Sequence, residues 1–300
     1  TYFDLVLPRV LPNNIASNVP PYFFYDVQGH IFSDISTKDR LSLSYYTGID
    51  DIVFDTFGLD GRWGNRTISG HWRRVFSERL VGNFLIANSN FRTFFGLGGD
   101  GGLVNDNIID DRTISADLSW FKSADLTVKF GGQNKILGFE YFSEFQDSVV
   151  FKIKNSPAEF GTYAKMKYNF NELLILEPGV RLNYYNVYQD SLYPDLRFGL
   201  KYLLTDDRYI NFSVGNYHQF ISTFQDDFNP SILDSWIAVD SSLAPGKSTQ
   251  LVLGYEEYIR NTYKIQIEGD YKDLKNLLTY EERRSSTDAD VSDDKLSDIV

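Results

Sequence analysis

Hydrophobic and polar residues alternate along much of the chain with a period of two. In the stretch PDLRFGLKYLLTDDRYINFSVGNY (194–217), four apolar positions alternate with polar or small ones: Leu196, Phe198, Leu200 and Tyr202. The alternation resumes at Ile210, after the polar run 205–208. Two strands joined by a tight turn explain this pattern. One face of the hairpin is apolar and the other carries charge, which the dry core of a soluble sandwich would not tolerate over such a length.

The same alternation predicts further strands elsewhere. It is found in RLSLSYYTG (40–48), RTISADLSW (112–120), DLTVKF (125–130), TYAKMKYNF (162–170), LLILEPGVRLNYY (173–185) and YKIQIEGDYK (263–272). We count about twelve strands, many of them of the roughly ten residues that a tilted transmembrane strand needs. The apolar positions would face lipid, and the charged ones would face a wet or protein-filled lumen.

The connections between the predicted strands are of two kinds. Short polar turns occur at 36–40, 76–79, 122–125, 169–172, 205–208 and 259–261. Longer connections rich in Gly, Asp and Asn occur at 96–111, 143–157 and 225–247. Short turns at one end and long loops at the other are typical of an outer-membrane barrel. A propeller blade of similar length would hold four short strands, whereas two long strands fill the spacing here.

The pattern therefore predicts an all-β fold, an antiparallel up-and-down transmembrane β-barrel. Composition agrees: 16 % of the 300 residues are aromatic, as interfacial girdles require, and no run of about 18 apolar residues predicts a membrane helix. The chain has no cysteine, which excludes disulfides and thiolate sites. The net charge of −12 argues against nucleic acid as a partner.

Candidate chemistry is sparse. The three histidines (His30, His71 and His218) have no partner at a recognised metal spacing. Two acidic groups in the predicted loops could bind Ca²⁺ or be solvated: Asp106, Asp110 and Asp111, and then Asp226 and Asp227. Neither group has the full spacing of a calcium loop with a closing Glu, and we predict no metal and no cofactor. No Ser/His/Asp arrangement stands out, and we expect no enzyme activity.

Six residues are predicted to contact a ligand in the loops or lumen: Trp236, His218, Asp226, Asp227, Arg181 and Arg197. Trp236 lies in the longest predicted loop, where its ring would offer a stacking surface for a sugar or an aromatic chelator, or else pack within the loop. His218 lies near the outer end of its predicted strand. There it would touch ligand or cap the aromatic girdle.

Several segments resemble the TonB-dependent outer-membrane receptors. They are TYFDLVLP (1–8), VPPYFFYDVQGHIFSDISTKDRLSLSYYTGIDD (19–51), WGNRTISGHWRRVFSERL (63–80), PDLRFGLKYLLTDDRYINFSVGNYHQF (194–220), LAPGKSTQLVLGYE (243–256) and YKIQIEGDYKDLKNLL (263–278). The resemblance implies a barrel of roughly 22 strands with a plug domain in its lumen. It also implies uptake of a scarce bulky ligand, such as a ferric siderophore, cobalamin, haem or an oligosaccharide.

Residues 1–300 are expected to form the central part of such a barrel, with the plug, the energy-coupling box and the terminal strand outside this stretch. The implied partners are the lipid of the bacterial outer membrane, the plug domain, the TonB complex, and a small-molecule or oligosaccharide ligand. Two alternatives remain open. A passive porin would need no plug, and a surface β-protein without a transport role would need no lipid-facing band.

Overall fold

The computed structural model describes residues 9–10, 22–55, 58–187, 192–224, 235–239, 241–260 and 262–277. Residues 9–10 are helical, and the strands of the remaining described ranges form antiparallel β-sheet. No helix within these ranges is long and apolar enough to cross a membrane. The strands are β1 (Tyr22–Asp34), β2 (Asp39–Phe54), β3 (Leu59–Ser77), β4 (Leu80–Leu97), β5 (Leu103–Phe121), β6 (Leu126–Phe145), β7 (Ser148–Asn155), β8 (Ala158–Phe170), β9 (Leu174–Tyr185), β10 (Leu192–Thr205), β11 (Arg208–Gln219), β12 (Ile221–Phe224), β13 (Ser235–Ala238), β14 (Gly246–Ile259) and β15 (Tyr263–Lys275).

The described strands form one large sheet and one small one. In the 13-stranded sheet, neighbours in space follow chain order from β1 to β6, then through β8, β9, β10 and β11 to β14 and β15, while β7 pairs with β6. The paired strands are antiparallel, as in the hairpins of β1 with β2 and of β10 with β11. The predicted up-and-down antiparallel architecture is confirmed.

The two faces of the large sheet differ in chemistry, as the alternation predicts. One face, here called the outer face, carries exposed apolar side chains such as Ile86 (61 % exposed), Ile114 (58 %) and Leu253 (56 %). The opposite face, here called the inner face, carries paired charges. Glu256, for example, lies between Lys201 and Lys264, with N–O distances of 3.7 and 3.4 Å. Charges that have partners can line a wet lumen, whereas the outer face suits hydrocarbon.

The six predicted short turns all lie at one end of the sheet, here called the short-turn end. They join β1 to β2, β3 to β4, β5 to β6, β8 to β9, β10 to β11 and β14 to β15. The opposite end, here called the long-loop end, carries the longest connection, from β11 to β14, but also short ones such as residues 98–102 between β4 and β5 and residues 146–147 between β6 and β7. The predicted positions of the short turns are confirmed, whereas long loops are not general at the opposite end.

Two of the predicted long loops are wrong. Within the predicted loop 96–111, β4 continues to Leu97 and β5 begins at Leu103, so that only residues 98–102 connect them. Asp106, Asp110 and Asp111 consequently lie in β5 and not in a loop. The predicted loop 143–157 likewise forms most of a hairpin between β6 and β7. Paired strands satisfy their own backbone hydrogen bonds, so these Asp- and Asn-rich segments can extend beyond the apolar band as sheet.

The long connection between β11 and β14 folds back onto the inner face. Its strands β12 and β13 pair as a hairpin. Ala238, at the end of β13, is fully buried in an apolar cluster with Leu137 and Phe139 of β6, and Ile109 of β5 packs against this cluster. Leu137 and Phe139 both face inward, since residues two apart in a strand lie on the same face of the sheet. The largest loop therefore covers part of the inner wall.

Candidate functional site

A polar network centred on Asp195 lies on the inner face near the long-loop end. Asp195 is 2 % exposed. One of its carboxylate oxygens lies 2.7 Å from Nδ1 of His218 in β11, and the other accepts a hydrogen bond of 2.9 Å from the Asn183 amide in β9. The Arg197 guanidinium lies 3.9 Å from the same carboxylate. Three adjacent strands thus supply partners to one buried charge, which compensates its loss of hydration.

The network continues along the inner face through Arg181. Its Nε donates to the Asn183 amide oxygen at 2.5 Å, and its terminal nitrogen lies 3.5 Å from the Glu159 carboxylate. The guanidinium crosses directly over Gly161, where a Cβ would lie 2.3 Å from an Arg181 nitrogen. The absence of a side chain at Gly161 leaves room for this position of the guanidinium, which a Cβ would displace. Arg181 is therefore held at both ends and cannot leave the wall without breaking the network.

The register of β10 and β11 changes where the network forms. Pro194 has no backbone N–H, so it cannot donate to the sheet ladder. The regular β10–β11 pairing ends at Arg197 and Gly215. Beyond that pair, the Asn216 amide replaces the ladder, since it donates to the Pro194 carbonyl at 2.8 Å and accepts from the Leu196 N–H at 2.8 Å. These two hydrogen bonds give partners to the Pro194 carbonyl and the Leu196 N–H, on either side of Asp195.

Aromatic side chains anchor the folded-in loop next to the network. The Tyr185 ring, which is fully buried, stacks on Phe220 with ring centroids 4.7 Å apart. Its hydroxyl donates to the Val239 carbonyl at 2.8 Å. Tyr193 packs edge-on against Phe220 at 5.2 Å and lies 5.2 Å from the His218 ring. One cluster therefore joins both ends of the loop to β9 and to the His218–Asp195 pair.

A cavity of about 370 Å³ lies between this loop and the wall. Its apolar lining includes Leu137, Phe139 and Phe220, and its polar lining includes Asp111, Glu159 and His218. The volume lies in the range typical of small-molecule sites, and an apolar pocket with a few polar groups is the usual composition of such sites. The arrangement can hold a compact ligand against the imidazole and the two carboxylates.

Three of the six predicted ligand contacts meet in this network: Arg181, Arg197 and His218. Arg197 also stacks over the Tyr217 ring, with 4.5 Å from its guanidinium carbon to the ring centroid. Trp236 lies in β13 and not in an irregular loop, and its backbone pairs with Thr223. Asp226 and Asp227 lie outside the described residues.

Sequence reasoning missed Asp195 and Asn183. Their inward positions in the alternation were the available signal, but without the register nothing showed that they meet.

Of the remaining candidates, Asp111 alone lies near this network, in the lining of the cavity beside His218. Asp106 forms a two-pronged ion pair with Arg92, with its shorter contact at 2.6 Å, Asp110 accepts from Asn90, and Asp111 accepts from Thr113. Nδ1 of His30 lies 2.8 Å from the Ser44 hydroxyl on the inner face. In the ranges described here, no group of three or more His, Asp or Glu side chains could hold a metal ion.

The sheet has the fold of the barrel walls of outer-membrane receptors and transporters. The siderophore receptor PirA from Pseudomonas aeruginosa is 11 % identical, with a TM-score of 0.67 over 84 % of this chain and 46 % of that chain. The alcaligin outer membrane receptor FauA from Bordetella pertussis is 14 % identical, with a TM-score of 0.67 over 87 % of this chain and 45 % of that one. The copper transporter OprC is 13 % identical, with a TM-score of 0.62 over 85 % and 45 %.

These similarities confirm, at the level of the fold, the resemblance to TonB-dependent receptors. No protein-family model matches the sequence. None of the curated proteins matches it either. The chain spans less than half the length of the structures it matches. The matched proteins are receptors and transporters, and the ligands they are named for differ from one to the next.

Proposed function

We propose that this chain is the central wall of an outer-membrane receptor that imports a scarce, bulky ligand with energy supplied through TonB. The observation that carries the proposal is the two-faced sheet. An exposed apolar outer face and an ion-paired inner face occur together in a fold shared with outer-membrane receptors. Such a sheet is stable where lipid covers the outside and water or protein fills the inside. The parent protein would therefore lie in the bacterial outer membrane and act as a transporter, not as an enzyme.

The ligand would contact the long-loop end of the inner wall. Arg181, Arg197 and His218 supply donors there, and the cavity beside His218 supplies an apolar surface. Trp236 of β13, and Asp226 and Asp227 of the sequence between β12 and β13, remain proposed contacts. A ferric siderophore, cobalamin, haem or an oligosaccharide presents both polar and apolar surface, which suits this combination. A plug domain and the TonB complex would be the protein partners.

A passive diffusion channel is a second candidate, and one observation favours it. The connection between β11 and β14 folds onto the inner wall and is anchored there by the Tyr185–Phe220 stack and the Leu137–Phe139–Ala238 cluster. A loop fixed in this way narrows a lumen without any plug, as porins commonly do. In this reading the charges of the inner face would select small solutes by their sign.

One experiment separates the two candidates. Cells that express the full-length protein are given radiolabelled ferric siderophores, cobalamin, haem and oligosaccharides, with and without a TonB deletion. Energised import predicts accumulation of at least one ligand that disappears in the deletion strain, and that falls when Arg197 is replaced by Ala. Uptake that persists without TonB, together with steady conductance of the purified protein in planar bilayers, would establish the passive channel instead.

A further inference from the structure

The inner face of β1 to β4 contains a patch without Asp, Glu, Lys or Arg, here called the neutral patch. Three successive rows of cross-strand partners form it. From β1 to β4, the rows are Gln28, Tyr46, Thr67 and Ser89, then His30, Ser44, Ser69 and Ala87, then Phe32, Ser42, His71 and Leu85. Charge returns at its borders, with Asp26 in the row above and the ion pair of Asp34 with Arg40 in the row below. The patch therefore offers mainly uncharged hydrogen-bonding groups.

The wall of β8 to β10 has the opposite character. Successive inner rows there hold Arg181 beside Asp195, and then Lys165 and Arg197 on either side of Gly179. Charged groups in a lumen pair with one another or with ions that pass. An ion that enters the lumen is therefore drawn to that sector, which leaves the neutral patch for an uncharged occupant.

A cavity of about 560 Å³ lies on the neutral patch, between β1, β2 and β3. Six inner-face residues line it: Gln28, His30, Ser44, Tyr46, Thr67 and Ser69. Each of their side chains can donate or accept a hydrogen bond. The volume lies in the range typical of small-molecule sites. Because His30 lies only four residues before the end of β1, the cavity lies toward the short-turn end, apart from the Asp195 network at the long-loop end.

Some polar groups of this cavity are held by neighbours and others are free. Nδ1 of His30 lies 2.8 Å from the Ser44 hydroxyl, which fixes the imidazole on the wall. Among the residues that the structure describes, none forms a hydrogen bond with the Gln28 amide or the Ser69 hydroxyl. A ligand in the cavity would therefore find an amide and a hydroxyl without partners, beside Nε2 of the imidazole.

A strip of rings and carboxylates, here called the upper strip, continues from the cavity toward the long-loop end. The Tyr46 hydroxyl donates to Asp26 at 2.7 Å, and the Tyr22 hydroxyl donates to Asp50. The centroids of the Tyr22 and Phe24 rings lie 5.5 Å apart. Each carboxylate keeps a second oxygen that can accept another hydrogen bond. From the start of β1 to the cavity, the strip and the cavity together extend over roughly 26 Å of the wall.

We propose that the cavity on the neutral patch is a subsite for an uncharged, polyhydroxylated ligand, such as a neutral oligosaccharide, as it passes from the long-loop end toward the short-turn end. The Gln28 amide, the Ser69 hydroxyl and Nε2 of His30 bind its hydroxyl groups, and the upper strip leads to them. This inference rests on the import function proposed above, and it narrows the class of ligand.

The chemistry of the subsite favours this ligand. A sugar hydroxyl both donates and accepts, as do the hydroxyl, amide and imidazole groups of the cavity, so the two sets can pair with each other. Carboxylates such as Asp26 and Asp50 accept strong hydrogen bonds from hydroxyl groups, and the rings beside them can cover the apolar faces of a ligand. An anion would lack a cationic partner here and would approach two carboxylates. An apolar ligand would leave the polar groups of the cavity without partners.

The first test uses cells that express the full-length protein and measures how fast a thiol in the cavity is modified. S69C places a thiol of nearly the size of the hydroxyl in the lining. The matched control is S115C, because Ser115 lies on the inner face of β5 but outside this cavity. The probes are maltohexaose, cellohexaose and xylohexaose, with hexagalacturonate as an anionic counterpart. At least one neutral probe should slow modification of S69C severalfold during uptake and leave S115C unchanged, whereas hexagalacturonate should slow neither.

The second test measures uptake of the same probes in radiolabelled form. Q28A/S69A should raise the half-saturating concentration of a neutral probe about fivefold or more, because two hydrogen bonds to the ligand are lost. The matched control is Q133A/S115A, which removes the same groups from a cross-strand pair of β5 and β6 outside the cavity. It should import the probe as the unmodified protein does.

Three outcomes would overturn the subsite: uptake of none of the neutral probes, equal protection of S69C and S115C, or protection of S69C by hexagalacturonate. Energised import is judged separately, by whether uptake of any ligand depends on TonB. TonB-dependent uptake of a ferric siderophore alone would keep the proposed function and reject the subsite. Protection of S69C by a neutral probe that persists without TonB would keep the subsite and reject energised import.

Discussion

His218 and Asp195 form a close pair on the inner wall, with 2.7 Å between the imidazole Nδ1 and a carboxylate oxygen that is almost completely buried. The pair connects β10 to the end of β11, just before the chain enters the folded-in loop. Because Asn183 and Arg197 bind the same carboxylate, the pair belongs to a network and not to an isolated contact. The stability of this network bears on how firmly the loop is held.

Replacement of His218 by Ala should destabilise the protein by roughly 1–3 kcal/mol, since the buried Asp195 carboxylate would lose one of its partners. Urea unfolding of the full-length protein in detergent measures this loss. The double variant H218A/D195N should recover part of the stability, because the buried charge that has lost one of its partners is then removed. Equal stability of H218A and the unmodified protein would show that the pair contributes nothing.

Replacement of Tyr185 by Phe should loosen the folded-in loop, because the hydrogen bond from the Tyr185 hydroxyl to the Val239 carbonyl would be lost. The expected cost is about 1 kcal/mol, which is enough to raise the population of open loops about fivefold. Limited proteolysis between residues 221 and 245 reports this opening. The control is Tyr184→Phe on the outer face, where the side chain is 46 % exposed. Cleavage at the same rate in both variants would contradict the proposed anchor.

Arginine substitutions should distinguish the two faces of β10 and β11. Leu200 faces outward between Leu176 and Phe212, and L200R should cost roughly 2–4 kcal/mol if it lies near the membrane midplane. Ser213 pairs with Gly199 on the inner face, where S213R can reach water. For each variant, the fraction that is folded and heat-resistant in outer-membrane preparations measures how well the barrel inserts. Similar losses for the two variants would show that the assignment of the faces is wrong.

The turn between β1 and β2 should weaken in acid. The Ser36 hydroxyl, the Trp72 indole and Arg74 hold the pKa of Asp39 below its ordinary value. A group whose pKa is lowered in the folded state contributes stability above its ordinary pKa, and this contribution is lost as the pH falls through the folded value. Hydrogen exchange of the Trp72 indole N–H, which donates to Asp39 at 3.1 Å, should therefore accelerate below about pH 4. D39N should remove this dependence, and an unchanged profile in D39N would contradict the account.

The period-two alternation was sufficient to predict the principal strands of the large sheet, their two faces and the short turns, because each of these depends on local sequence. It did not predict the shorter strands β7, β12 and β13. The extension of β4 and β5 through 96–111 could not be predicted in this way, since Gly, Asp and Asn favour turns unless a partner strand satisfies them. The network around Asp195 could not be predicted either. It joins residues from three strands, and their proximity depends on a register that Pro194 and Asn216 set locally.

The proposed function requires that the outer face contacts lipid and that the inner face contacts water. These 300 residues contain no cysteine, so a cysteine introduced here is the only thiol of this stretch and can be labelled in whole outer membranes, with the unmodified parent protein as the background control. L253C on the outer face and S213C on the inner face lie on adjacent paired strands. We predict that a charged, membrane-impermeant maleimide labels S213C and not L253C, while a lipid-soluble maleimide labels L253C. Labelling of L253C by the charged reagent would contradict the account.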